Sequence, residues 1–126
     1  MQDLNIKGQN FLVVRKAGHK GRGVFTSKEI KKGDIIEICP IIELSKKDHY
    51  MLIDNLLENY TFVWNTQKKS AAIVLGFGSL YNHSKSNNAT YNKKIKENVM
   101  VFKATKNISV NEEITIDYGD MHSDLS

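Results

Sequence analysis

Tyr81-Asn82-His83-Ser84 is the stretch on which the interpretation of this sequence depends. It sets a carboxamide, an imidazole and a hydroxyl in succession after an apolar run broken by glycines, so side-chain and main-chain groups can both face a polar ligand. A second stretch, EEITIDYGD at 112–120, continues an alternating strand pattern and ends on a Tyr-Gly pair, where glycine lets the chain turn sharply after Tyr118. Each stretch alone also has a structural reading, because a single histidine is usually a hydrogen-bonded structural residue and a strand-end tyrosine often belongs to the core.

The composition predicts one soluble domain that occupies residues 1–126. The chain is 40% hydrophobic and 25% charged, which is ordinary for a single globular unit of this length. A net charge of +4, from 18 Lys and Arg against 14 Asp and Glu, is too modest and too dispersed to indicate a particular partner. No apolar run approaches the roughly 20 residues of a membrane-spanning helix, and the N-terminus lacks a secretory pattern, so we expect an intracellular protein.

The only cysteine, Cys39, lies in an apolar segment, IIEICPII at 35–42. It has no partner for an internal disulfide and no cysteine set for a thiolate metal site, so we predict a small core residue in a reducing setting. The four histidines are dispersed along the chain, and we therefore predict no metal site.

The spacing of apolar residues predicts a mainly β chain of many short strands with one helical insert. Residues 11–14 and 24–25 indicate a hairpin across a glycine-rich basic turn, and a second β segment from Ile35 is interrupted by Pro40. Further strands are predicted at 60–64, 71–75, 99–102 and 114–116, with an irregular polar loop at 82–92.

One amphipathic helix is predicted after Ser45. Ser45, followed by Asp48 three positions later, provides an N-cap and an acidic first turn. The apolar residues that follow at helical spacing are Leu52, Ile53, Leu56, Leu57 and Tyr60.

Four motifs, in this order along the chain, together resemble the signature of SET-domain protein lysine methyltransferases. They are Gly21-Arg22-Gly23 with Val24-Phe25, Tyr60-Thr61-Phe62, Tyr81-Asn82-His83-Ser84, and Glu113 with Asp117-Tyr118-Gly119. The Gly-Arg-Gly turn alone is weak evidence, because glycine also punctuates ordinary strands. The resemblance covers a core of about residues 11–120, and its compactness is most similar to the minimal SET proteins of large viruses and some bacteria.

The resemblance implies a fold of several small twisted β-sheets around a C-terminal pseudoknot, in which the Asn-His-Ser segment passes next to the last motif. It implies S-adenosylmethionine as the cofactor, S-adenosylhomocysteine as the product, and no metal. The backbone at Gly21, Arg22 and Gly23 and the residues Asn82 and His83 are expected to bind the cofactor.

The same resemblance implies catalytic roles for Tyr60 and Tyr118, with Tyr118 the principal residue. Both tyrosines, together with Ile116, are expected to border the channel for the substrate lysine. Many relatives have an aromatic residue near the position of Ile116 that limits how many methyl groups are added. An aliphatic side chain there leaves the number open.

The chemistry of lysine methylation is consistent with these residue types. A lysine with an ordinary pKa of about 10.4 is almost entirely protonated at neutral pH, which adds about 4–5 kcal/mol to the barrier for attack by its free amine. A dry aromatic channel lowers that pKa by desolvation, and the positive sulfonium of the cofactor acts in the same direction. Holding amine, methyl carbon and sulfur in line supplies the entropic part of the rate acceleration.

The sequence also departs from the family pattern. Lys85 and Asn87 stand where the family commonly has cysteine and proline, whereas Asn88 keeps the closing asparagine. The cysteine-rich extension that follows many SET domains is missing after Asp120. We therefore expect a second copy of the chain to complete the site as a homodimer.

Two other functional classes stay open at this point. A non-catalytic SET-like module could bind protein or cofactor without turnover, although the intact Asn82, His83 and Tyr118 argue against it. A nucleic-acid-binding domain is less favoured, because the basic residues between 15 and 32 alternate with apolar strand residues instead of forming a stripe with stacking aromatics. The favoured partners are lysine-bearing protein tails such as histones, with no membrane and no direct nucleic-acid binding, in the cytoplasm or, for a viral protein or an effector, the host nucleus.

Overall fold

The computed structural model describes residues 10–120, which form nine short strands, one α-helix and four 3₁₀ helices. The strands are β1 Leu12–Lys16, β2 Arg22–Thr26, β3 Ile35–Leu44, β4 Thr61–Val63, β5 Ala71–Val74, β6 Asn82–His83, β7 Ala89–Lys94, β8 Val99–Ala104 and β9 Glu113–Ile116. Helix α1 spans Lys46–Tyr50, and the 3₁₀ helices span Gly18–Lys20, Leu56–Tyr60, Gly78–Leu80 and Tyr118–Asp120. The prediction of a mainly β chain is confirmed.

The strands form two sheets, with neighbours in the orders β1-β2-β9-β6 and β4-β5-β3-β8-β7. The predicted hairpin is confirmed as the antiparallel pair β1 and β2. Strand β9 pairs with β6 in parallel, with Thr115 opposite Asn82 and Ile116 opposite His83. Parallel strands cannot be joined by a tight turn, and here the connection runs through β7 and β8 of the other sheet. The two decisive stretches of sequence are thereby placed side by side.

One hydrophobic core combines residues from both sheets. Its fully buried side chains include Ile36, Phe62, Tyr81, Met100, Phe102, Ile108, Ile114 and Ile116. Cys39 is also fully buried, which confirms the prediction of a core residue. Burial, with a smaller effect of nearby Glu37, raises the pKa of the Cys39 thiol far above its usual range, so it stays protonated and unreactive.

The prediction of one helix from Ser45 to about Tyr60 is wrong, because only its first five residues, Lys46–Tyr50, form an α-helix. Ser45 does cap it, because Ser45 Oγ accepts a hydrogen bond of 3.0 Å from Asp48 N. The helix ends at Tyr50, and Asp54 adopts a left-handed φ of 68°. Asn55 is extended, and its Oδ1 accepts a hydrogen bond of 2.9 Å from Leu57 N, which starts a separate 3₁₀ helix. Local capping therefore overrides the apolar periodicity.

Two boundary predictions also need correction. Pro40 does not interrupt its strand: it lies within β3, where the strand changes partner from β8 to β5, and its carbonyl accepts a hydrogen bond of 2.9 Å from Leu75 N. The segment 82–92 is not one irregular loop, because it contains β6 and the first part of β7. Asn88 lies between them and is 5% exposed. Its side-chain amide therefore needs hydrogen-bond partners within the protein.

Within residues 10–120, no helix is both long enough and apolar enough to cross a membrane.

Candidate active site

Asn88 holds the C-terminal strand against the loop that follows β6. Its Oδ1 accepts a hydrogen bond of 2.9 Å from Thr115 N, and its Nδ2 donates one of 2.9 Å to the carbonyl of Glu113. Ser84 N donates to the carbonyl of Ile116 at 3.0 Å further along the same crossing. Asparagine suits this position because one amide supplies both a donor and an acceptor to a strand backbone.

Tyr118 begins directly after this crossing, in the last 3₁₀ helix. Its backbone N donates to His83 Nδ1 at 2.9 Å, and its hydroxyl donates to the carbonyl of Tyr81 at 2.6 Å. His83 Nδ1 therefore acts as the acceptor that fixes the start of the last 3₁₀ helix. The Asp117 carboxylate lies 3.7 Å from the same nitrogen.

The Tyr118 side chain is half-buried and remains a neutral phenol. Burial raises the pKa of its hydroxyl above the usual value, and nearby Glu113 and Tyr60 add to the effect. A phenol with a raised pKa keeps its proton throughout the neutral and mildly alkaline range. It can therefore donate to the Tyr81 carbonyl throughout that range.

Asn82 is fixed by the Gly-Arg-Gly turn and by Glu113. Its Nδ2 donates to Glu113 Oε2 at 2.7 Å and to the carbonyl of Arg22 at 2.9 Å. Gly23 makes room for this arrangement, because a Cβ at that position would collide with Glu113 Oε2 and lie 2.8 Å from Asn82 Nδ2. Gly21 differs, since it has a left-handed φ of 76° and open space around its Cα.

A cavity of about 500 Å³ brings several of these residues together. Its lining residues are Gly21, Arg22, Asn59, Tyr60, Ser79, Leu80, Asn82 and Tyr118. Five of the eight site residues predicted from the sequence thus line the same cavity: Gly21, Arg22, Tyr60, Asn82 and Tyr118. The structure places the other three elsewhere: Gly23 is packed under the Asn82 amide, His83 contacts the Tyr118 backbone, and Ile116 is fully buried.

Three lining residues, Asn59, Ser79 and Leu80, are not among the site residues predicted from the sequence. Ser79 has a visible structural role, because its hydroxyl donates to the carbonyl of Tyr60 at 3.0 Å and accepts from Val74 N at 3.2 Å. It therefore ties the Tyr60 end of the 3₁₀ helix to strand β5. Adjacency to the YNHS stretch was the only available hint for Ser79 and Leu80.

A second, smaller cavity of about 280 Å³ lies beside the same C-terminal segment. Its lining residues are Asn87, Ala89, Thr90, Tyr91, Asp117 and Gly119. Asp117 and Gly119 are the immediate neighbours of Tyr118, which lines the larger cavity. The segment 117–119 thus contributes to both cavities. Among residues 10–120, no group of three or more His, Cys, Asp or Glu side chains is placed to hold a metal ion.

Comparison with known proteins gives a consistent result. Residues 21–119 match the sequence model of the SET domain. A relative in Schizosaccharomyces pombe, a histone-lysine N-methyltransferase specific for lysine 37 of histone H3, is 36% identical over 110 residues, which are 86% of this chain and 74% of that protein. Among solved structures, a candidate histone methyltransferase of Plasmodium falciparum is 36% identical with a TM-score of 0.72, covering 88% of this chain and 95% of that chain.

A more distant structural likeness concerns the fold alone. The Polycomb Repressive Complex 2 of Chaetomium thermophilum, in an autoinhibited conformation bound to S-adenosylmethionine, aligns with a TM-score of 0.75 at 20% identity, covering 87% of this chain and 15% of that chain. The predicted SET-type β-fold and the predicted enzyme class, a protein lysine N-methyltransferase, are both confirmed. The chain belongs to the SET domain family.

Proposed function

We propose that this chain transfers a methyl group from S-adenosylmethionine to the ε-amine of a lysine in a histone, with histone H3 as the first candidate. The observation that carries the proposal is the neutral Tyr118 phenol, held at 2.6 Å from the Tyr81 carbonyl in the wall of a cavity that it shares with Tyr60 and Asn82. The relative specific for H3 supports the substrate class. A histone substrate makes chromatin the partner and gives an intracellular location, in the cytoplasm or a nucleus.

The larger cavity is suited to the cofactor in size and chemistry. Its volume, about 500 Å³, falls in the range of about 300–1,000 Å³ that is usual for small-molecule sites. Gly21 lets the backbone lie close against a ligand, Asn82 offers an amide, and Leu80 offers an apolar surface. Gly21, Arg22 and Asn82 would hold S-adenosylmethionine, while Gly23 and His83 would act through Asn82 and the Tyr118 backbone. When bound, the cofactor supplies an electrophilic methyl carbon on a positively charged sulfur.

The tyrosines would supply the environment in which a lysine amine becomes reactive. Tyr60 and Tyr118 place two aromatic rings in the lining of the cavity, and contact with such a surface would lower the pKa of a neighbouring lysine by desolvation. Tyr118 cannot act as a base, because its phenol is already protonated and donates to Tyr81. Its hydroxyl, held against the Tyr81 carbonyl in the lining of the cavity, would instead orient the reacting groups, which is an electrostatic contribution to catalysis.

The smaller cavity is the proposed entry for the substrate lysine. Asp117 and Gly119 flank Tyr118 in sequence, so a lysine side chain in the smaller cavity would lie against the segment that carries the tyrosine. The exposed Asp117 carboxylate attracts a cationic lysine, and Tyr91 gives an aromatic wall. Ile116 precedes Asp117 and is fully buried, without lining either of the two cavities. Its place beside the lysine channel stays a prediction.

Gly23→Ala is expected to weaken binding of S-adenosylmethionine by about tenfold or more while the chain stays folded, because the new Cβ displaces Asn82 and Glu113 and breaks a charge-assisted hydrogen bond. Calorimetric titration with the cofactor and with S-adenosylhomocysteine measures the change. Gly119→Ala is the matched control, since a Cβ there meets only Asp117 Oδ1 at 3.6 Å. Equal affinities in the wild type and Gly23→Ala would contradict the assignment of the larger cavity to the cofactor.

The function is tested by supplying labelled S-adenosylmethionine with each of the four core histones separately. We expect the wild-type protein to label H3 and release S-adenosylhomocysteine in equal amount. Binding of the cofactor without label on any protein in a cell lysate would instead favour the non-catalytic module. Peptide mass spectra of exhaustively treated H3 then give the number of methyl groups added.

We also propose that two copies of the chain form a homodimer that completes the site. Met51, Leu56 and Leu57 are 73%, 71% and 50% exposed, in the segment that leads to Asn59 and Tyr60 of the cavity. Large apolar side chains that are this exposed, within seven residues of one another in sequence, are candidates for an interaction surface. We expect a dimer by light scattering, and loss of both the dimer and methyl transfer in a Leu56→Glu variant. A monodisperse and fully active monomer would defeat this proposal.

A further inference from the structure

Glu37 is a buried carboxylate that the mechanism above does not use. It is only 4% exposed and lies in strand β3, the central strand of the five-stranded sheet. Strand β3 is irregular at this point, because its register with β8 shifts between Ile35 and Glu37. A β-bulge of this kind re-aims side chains, and here both Ile36 and Glu37 are buried in succession.

Both carboxylate oxygens of Glu37 have a fixed donor. The Tyr81 hydroxyl donates to Oε1 at 2.6 Å, and Phe77 N donates to Oε2 at 2.9 Å. Gly76 makes room for this contact, since a Cβ there would lie 2.5 Å from Glu37 Oε2. Burying a carboxylate costs free energy unless it is hydrogen-bonded. The two hydrogen bonds to Glu37 offset that cost only while Tyr81 and Phe77 keep their positions.

The charge of Glu37 also fixes the state of its neighbour. Burial first, and then the Glu37 carboxylate, raises the pKa of the Tyr81 phenol well above its usual value. Tyr81 therefore remains a donor to Glu37 at any pH at which the protein would work. Its ring packs on Phe102 as well, with ring centroids 4.7 Å apart.

The backbone of the same Tyr81 receives the hydroxyl of Tyr118, at 2.6 Å from its carbonyl oxygen. We propose that Glu37 is a positioning residue for methyl transfer: by anchoring the Tyr81 phenol it fixes the Tyr81 carbonyl, and that carbonyl sets the position of the Tyr118 hydroxyl. The two contacts lie at opposite ends of one residue. A side chain anchored at its tip restrains the pivoting of its own backbone, and Tyr118 is held by that backbone.

The size of the expected effect follows from the sensitivity of catalysis to position. A displacement of about 1 Å can reduce a rate by about a hundredfold, so a smaller shift of the Tyr81 carbonyl should lower kcat by about tenfold. Glu37 does not touch either reactant cavity, so the Michaelis constants for cofactor and histone should change little. This consequence rests on the function proposed above.

The test compares Glu37→Gln and Tyr81→Phe with Glu43→Gln. Glu43 is a matched control because it lies on the same strand and accepts a hydroxyl hydrogen bond of 2.7 Å, from Ser70, away from both cavities. We expect kcat to fall about tenfold in the first two variants, at nearly constant KM, and to be unchanged in Glu43→Gln. Thermal unfolding checks the fold, and Tyr81→Phe, which removes a single oxygen atom, serves if Glu37→Gln does not fold.

A second readout needs no activity. Tyrosine labelled with ¹³C at Cζ gives an NMR resonance for Tyr118 that is assigned by its absence from Tyr118→Phe. We expect this resonance to move in Glu37→Gln and Tyr81→Phe and to stay in place in Glu43→Gln. An unmoved resonance in both variants, or an equal fall in kcat in Glu43→Gln, overturns the role of Glu37. A wild-type protein without any methyl transfer would defeat the proposed function instead, and the NMR result would still be readable.

Discussion

Tyr118→Phe is expected to reduce methyl transfer by about a hundredfold or more without unfolding the protein. The substitution removes one oxygen atom and leaves the ring, which packs on His83 with centroids 5.2 Å apart. The lost hydroxyl is the group that donates to the Tyr81 carbonyl at 2.6 Å, and Tyr118 lines the larger cavity. The backbone bond from Tyr118 N to His83 does not depend on the hydroxyl, so the C-terminal segment should keep its course.

The measurement is the single-turnover rate of label transfer to histone H3 at saturating cofactor. Tyr50→Phe provides the matched control, because it removes the same atom from a tyrosine that is 64% exposed and lines neither of these two cavities. Cofactor affinity, measured separately, should be nearly the same in wild type and Tyr118→Phe. A variant that retains more than about a tenth of the wild-type rate would show that the hydroxyl is not central to the reaction.

Asn88→Ala is expected to cost about 3 kcal/mol of folding free energy, which lowers the melting temperature by on the order of 10 °C. The substitution removes the side-chain hydrogen-bond partner of Thr115 N and of the Glu113 carbonyl, at a residue that is only 5% exposed. Loss of its partner costs a buried polar group about 1–3 kcal/mol, and this substitution removes two such hydrogen bonds. The same strand pairs with Asn82 and His83, so cofactor binding should weaken with stability.

Asn87→Ala is the control for this prediction, since it removes the same functional group one residue earlier. Its amide makes one hydrogen bond, of 3.1 Å to the carbonyl of Ser84, and its side chain is only half-buried. Chemical denaturation of both variants gives the free energies directly. If Asn88→Ala and Asn87→Ala were destabilised equally, Asn88 would not be the residue that holds the crossing together.

Much of the fold could be predicted because alternation of apolar residues and glycine turns act locally. The hairpin of β1 and β2, strand β5 and strand β9 lie where the pattern puts them. The long helix was wrong for an equally local reason, since Asn55 caps a new turn and competes with the periodicity of the leucines. Pro40 was misjudged because a strand that changes partner has a place for a residue without an N–H donor.

The candidate site could be predicted only where a motif marked it. Tyr118, Tyr60 and Asn82 are in such motifs and line one cavity. Asn88 was recognised as the closing asparagine of a loop, but its burial and its contacts depend on a strand 25 residues away in sequence. Glu37 was unremarkable as a charged residue in a strand, because its role arises from a bulge and from a tyrosine 44 residues away. Long-range hydrogen bonds of this kind leave no local pattern to detect.

The central claim is that this chain moves a methyl group from S-adenosylmethionine to a lysine ε-amine. It is tested most directly by incubating the wild-type protein with histone H3 and cofactor carrying a deuterated methyl group, and then locating the label by tandem mass spectrometry. We predict the deuterated methyl on the ε-nitrogen of a lysine, with one S-adenosylhomocysteine released for each group transferred. An unlabelled histone from a folded, cofactor-bound protein, or a label on an atom other than a lysine nitrogen, would contradict the account.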